Sequence, residues 1–123
     1  MKPKFIFVDY DGTLATYNSG DYEKYGPLHL GQPIPLMVNR VKQWLLEGHK
    51  VAIFTARAAN PHEGEMKAIQ QWCKEHIGRK LIITCIKTPD VDEFWDDRAF
   101  SVVRNTGMVY NAVVDDNNEV VFK

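Results

Sequence analysis

Residues 4–14 read Lys4-Phe5-Ile6-Phe7-Val8-Asp9-Tyr10-Asp11-Gly12-Thr13-Leu14. The run from Phe5 to Val8 is short, unbroken and rich in aromatic and β-branched side chains, the pattern of a strand buried on both faces of a parallel sheet. It stops on an aspartate, and a second aspartate and a glycine follow at once. Working outward, Lys50 to Thr55 (KVAIFT) and Leu81 to Ile86 (LIITCI) repeat the buried-strand pattern. Between the first two strands, Met37, Val38, Val41, Trp44 and Leu45 recur at helical spacing from Ile34, with Gly48 as the stop. Between the second and third, Met66, Ile69, Trp72, Cys73 and Ile77 do the same, with Asn60-Pro61-His62-Glu63 as the predicted start and Gly78 as the end. This alternation predicts an α/β fold. Its mostly parallel central sheet has helices on both faces, a Rossmann-like three-layer sandwich.

Beyond this framework, Glu93-Phe94-Trp95 predicts a fourth strand and Ser101 to Arg104 a fifth. Residues 109–123 read as a hairpin, with Val109 to Val114 and Glu119 to Phe122 flanking Asp115-Asp116-Asn117-Asn118. Residues 13–33 carry Gly20, Gly26, Gly31, Pro27 and Pro33 without a sustained period, so they predict an irregular flap bearing Tyr17, Tyr22 and Tyr25.

With 123 residues, 45% of them hydrophobic, the chain suits one domain over residues 1–123. The formal charge is -1 with acids and bases interspersed, so neither a nucleic-acid arm nor a membrane-surface patch is predicted. No apolar run reaches the ~18 residues of a membrane span, and the N-terminal run is too short for a signal peptide, which predicts a cytoplasmic protein. Cys73 and Cys85 read as reduced core thiols. His29, His49, His62 and His76 show no ligand spacing and read as exposed or helix-end side chains.

The chemistry lies where polar residues stop the strands: Asp9-Tyr10-Asp11-Gly12-Thr13, Thr55-Ala56-Arg57, Lys87, and Asp96-Asp97. In a parallel sheet these ends share one edge, and ligands bind there. Two carboxylates ~4 Å apart repel by ~4 kcal/mol at an effective dielectric of ~20, and Lys87 alone cannot offset several such pairs. A cation is required. Hard oxygen donors with no His or Cys cluster favour Mg²⁺ over zinc or calcium. Arg57 and Arg98, each directly after a motif, read as partners of the acids rather than as substrate contacts.

Phe7 to Leu14 (FVDYDGTL), Ile53 to Arg57 (IFTAR), Lys87 in CIKTPD, and Trp95 to Ala99 (WDDRA) together resemble, in this order, the motifs of the haloacid dehalogenase (HAD) superfamily. The resemblance covers residues 4–104 and implies a phosphatase. On it, Asp9 is the nucleophile, Asp11 the general acid and base, and Thr55, Ala56 and Lys87 bind the phosphoryl group. Asp9, Asp11 (through its carbonyl), Asp96 and Asp97 would hold Mg²⁺, Gly12 lets the backbone turn beside the phosphate, and Thr13 braces the loop. The spacings leave no room for the cap domain of larger members, so the site should be open. An open site takes a bulky phosphorylated substrate, such as the end of a nucleic acid or protein, or is covered by a neighbouring subunit of a homo-oligomer. The rival readings are a non-catalytic phosphate- and Mg²⁺-binding regulatory module and a receiver-type phosphoacceptor domain. Receivers place the phosphorylated Asp after the third strand and the acidic pair after the first, the opposite of the order here.

Overall fold

The computed structural model describes residues 2–109, 112–114, 116, 117 and 119–122. Four strands, β1 (Phe5–Val8), β2 (Lys50–Phe54), β3 (Ile82–Thr84) and β4 (Glu93–Trp95), form one all-parallel sheet in the order β3-β2-β1-β4. β1 is central: Ile6 pairs with Val51 on one side and Glu93 on the other. All four carboxyl ends therefore lie on one edge. A short helix, α1 (Asp21–Tyr25), sits within the flap, α2 (Pro35–Leu46) leads into β2, and α3 (Glu65–His76) joins β2 to β3. Among the described residues no cap domain interrupts the chain.

The two-residue alternation of strands decides what each face carries. Ile6, Val8, Val51 and Ile53 pack with Met37, Val38 and Val41 of α2 and with Ile69, Trp72 and Cys73 of α3 in a single core. The intervening positions turn the other way, where the Phe7 ring stacks on Phe54 at 4.9 Å and meets Phe94 edge-on at 5.6 Å. Both long helices share a face because β1, β2 and β3 step in one direction across the sheet through right-handed crossovers. The return to β4 spans residues 85–92, too few to fold a helix and also cross the sheet, and Lys87 Nζ lies 5.0 Å above the Phe94 ring. Among the described residues the second face carries this connection and no helix, and Phe94 on it is 40% exposed.

Some elements depart from the sequence reading for definite reasons. α3 starts at Glu65, not near Asn60, because Gly64 takes φ 79 as the N-cap. Asn60-Pro61-His62-Glu63 does not begin the helix; Glu65 instead turns back to accept the His62 N–H at 3.0 Å. Ser101 to Arg104 is no strand: Val102 makes an isolated bridge to Val109 around a turn with Asn105 at φ 65. The third strand is shorter than Leu81 to Ile86. β5 (Ala112–Val114) and β6 (Val120–Phe122) pair antiparallel, while residues 110, 111, 115, 118 and 123 of the predicted hairpin lie outside the described residues. Cys73 is buried and desolvation pushes its thiol up to about 12, but Cys85 is exposed and not a core residue. His49 is buried rather than exposed, its Nδ1 accepting the Lys4 N–H at 2.9 Å. No helix among the described residues is long and apolar enough to cross a membrane.

Candidate functional site

Asp9 is the first residue past β1, and its N–H donates to the Trp95 carbonyl at 2.8 Å, extending the β1–β4 ladder by one rung. That rung brings the Asp9 carboxyl beside Asp96 and Asp97, and one oxygen of each lies within 4.8 Å of the others. Burial, and then the charge of Asp96, push the Asp9 carboxyl up to about 7, against the pull of the Tyr10 backbone. Burial is the larger cause and the neighbouring carboxylate charge the smaller. This three-aspartate group could hold a metal ion.

The loop that follows is fixed from both sides. Tyr10 is fully buried, with its ring edge-on to Trp72 at 5.1 Å, and its hydroxyl donates to the Leu30 carbonyl at 2.7 Å. Gly12 has φ 84, and a Cβ there would lie 2.8 Å from Asp97 Oδ2, so no other residue fits without displacing that carboxylate. The Thr13 hydroxyl donates to Asp97 Oδ1 at 3.0 Å and accepts the Asp97 N–H at 2.9 Å. Thr13 ties the first motif to the last.

No family model matches the chain, and no curated protein matches it. Among solved structures, a conserved protein from Bacteroides thetaiotaomicron is similar, with 23% identity and a TM-score of 0.58 over 80% of this chain and 78% of that one. The likeness shows the fold alone. The residues at the sheet edge must therefore be read by their own geometry.

Asp9, Asp11, Thr55, Ala56 and Asp97 line one cleft of about 760 Å³, and Tyr17 and Tyr22 of the flap form part of its wall. Tyr25 is not part of that wall and packs on His29, ring centroids 4.7 Å apart. Thr55 is buried and caps a single 3-10 turn, its Oγ1 accepting the Arg57 N–H at 3.2 Å. A hydroxyl used as an acceptor keeps its hydrogen to donate. Asp96 accepts the Arg98 backbone N–H at 2.8 Å, which fixes the turn after β4.

Two predicted site residues stand apart from the acidic group. Asp11 points both oxygens at Arg57, taking Nε–H at 2.8 Å and Nη2–H at 2.9 Å. Lys87 has its ammonium over Phe94 and does not line the cleft. Arg57 is the partner of the acids that its position suggested. The residue that sequence reasoning missed is Glu65, whose side chain is 0% exposed and accepts from Arg57 Nη1 at 3.2 Å. A glutamate in the first turn of an amphipathic helix is the ordinary surface choice, so nothing local marked it as buried.

Proposed function

We propose that the chain is a Mg²⁺-dependent phosphohydrolase that cleaves a phosphate monoester through an aspartyl phosphate, in the manner of the HAD superfamily its motifs resemble. The observation that carries this reading is the convergence of Asp9, Asp96 and Asp97 oxygens, two of which, Asp9 and Asp97, line a cleft together with Asp11 and Thr55. The donor set fits the ion: three carboxylates and no nitrogen or sulfur suit a hard cation that keeps several waters. Asp9, Asp96 and Asp97 would hold it through carboxylates and Asp11 through its carbonyl, and when bound it neutralises charge on carboxylates and phosphate.

The protein's own groups carry the steps. An Asp9 oxygen attacks phosphorus, the bond to the leaving oxygen breaks, and Asp11 gives that oxygen a proton. Water then attacks the same phosphorus and loses a proton to Asp11, and the acyl-phosphate P–O bond breaks to release phosphate and Asp9. The Thr55 hydroxyl and the Ala56 N–H would bind the non-bridging oxygens, where charge spreads in the transition state. Lys87 would join them by turning its flexible stem away from Phe94. A cleft with no cap above it suits an ester with a bulky leaving group, such as the phosphorylated end of a nucleic acid or protein, or a site closed by a second copy of the chain.

The test is phosphate release from an aryl phosphate, with Mg²⁺ and with chelator, by the native chain and by Asp9→Asn. Metal-dependent turnover abolished by the substitution supports the reading. Mg²⁺ binding without turnover replaces it with the non-catalytic phosphate- and Mg²⁺-binding module, which the position of Lys87 over Phe94 favours.

A further inference from the structure

Arg57 is 5% exposed and spends all five of its N–H donors. Two go to Asp11, one to Glu65, and the other two to the carbonyls of Pro27 at 2.8 Å and His29 at 3.1 Å in the flap. Its guanidinium carbon lies 5.7 Å from the Tyr10 ring centroid and 5.0 Å from that of Tyr22. Glu65, fully buried, also accepts the Tyr22 hydroxyl and the His62 N–H. Two carboxylates therefore serve one guanidinium, and they differ in kind. Glu65 is sealed in the core and has no other cation among its hydrogen-bond partners, whereas the Asp11 side chain is 25% exposed and lines the cleft.

An arginine sealed in a protein needs a counter-ion at all times, because a buried charge left unpaired is strongly destabilising. With Asp11 as sole partner, Arg57 could not let that carboxylate go. With Glu65 in place, Asp11 can leave and the guanidinium keeps a carboxylate, two carbonyls and two aromatic faces. A carboxyl group whose oxygens both accept from one guanidinium must give up at least one of these bonds before it can turn to a leaving group. We infer that Glu65 is a positioning residue: the permanent counter-ion that anchors Arg57 and so allows Asp11 to move between a resting place on Arg57 and the substrate. The inference rests on the phosphohydrolase reading and goes beyond it by assigning a role to a residue that touches neither metal nor substrate.

The experiment compares kcat/KM of the native chain and Glu65→Gln, with Mg²⁺, on an alkyl phosphate and on a 4-nitrophenyl phosphate. The alkyl leaving group needs the proton that Asp11 delivers; the nitrophenolate does not. Glutamine keeps the shape and removes the charge, so Asp11 is held on Arg57, and the alkyl ester should slow by about tenfold or more beyond any change in the aryl ester. Equal losses on both esters would mark Glu65 as merely structural and overturn the inference while leaving the phosphohydrolase reading intact. No Mg²⁺-dependent turnover of either ester by the native chain overturns both. Should Glu65→Gln not fold, a crystal structure of the native chain with Mg²⁺ and beryllium fluoride decides. Asp11 turned away from Arg57 with the Arg57–Glu65 pair intact supports the inference, and Asp11 still bidentate on Arg57 ends it.

Discussion

Gly12 shows how tightly single residues are constrained at this edge. Its φ of 84 and the 2.8 Å between a built Cβ and Asp97 Oδ2 mean that Gly12→Ala must both strain the backbone and push a carboxylate aside. A loss of about 1–3 kcal/mol in denaturant unfolding is expected, together with weaker Mg²⁺ binding by titration; unchanged values of both would show that the loop relaxes freely. The grouping of Asp9, Asp96 and Asp97 was legible because the ends of paired parallel strands share one edge. Lys87 was legible only as a position. A long, flexible stem on a strap can point either to the phosphate or across the sheet, and spacing does not choose. If Lys87 serves the phosphoryl group, Lys87→Ala should lower kcat/KM by about 100-fold with little change in melting temperature. A wild-type rate would leave the phosphate to Thr55 and the backbone.

At the scale of elements, the flap was read as irregular; it carries the one-turn helix α1, and irregular does not mean loose. Its successive carbonyls meet buried donors: Pro27 and His29 meet Arg57, Leu30 meets the Tyr10 hydroxyl at 2.7 Å, and Gly31 meets Trp72 Nε1 at 3.3 Å. Residues 27–31 are thereby tied in turn to the 3-10 turn after β2, the loop after β1, and α3. None of this was visible in sequence, because hydrogen bonds to flap carbonyls leave no periodic trace, whereas β1, β2, β4 and α2 were visible because apolar runs and helical spacing do. Tyr10→Phe deletes one tie without changing ring packing, and leaves the Leu30 carbonyl unpaired at a loss of about 1–3 kcal/mol. Amide exchange should quicken in residues 27–31 more than in the sheet; uniform quickening would mean that the hydroxyl supports the whole fold and not the flap.

For the molecule as a whole, the acidic group makes stability depend on pH and metal together. In the metal-free chain the Asp9 carboxyl sits near 7, raised first by burial and next by Asp96, against about 3.9 for an unfolded aspartate. Between those values the folded state holds a proton that the unfolded state has lost, so stability falls as pH rises from about 4 to about 7. Below that window the penalty is absent. Solvent screening leaves it at about 2 kcal/mol above pH 7. Asp9→Asn removes the titrating group and should flatten this part of the profile. A cation at the same carboxylates acts oppositely, since a ligand at ~100 times its Kd stabilises by about 2.7 kcal/mol, a rise of several degrees in Tm for a domain of this size. Protons compete for its site at low pH. Thermal unfolding with and without Mg²⁺ should therefore give a larger rise at pH 8 than at pH 5, and almost none in Asp9→Asn. An equal rise at both pH values, or in the variant, would place the ion elsewhere on the molecule.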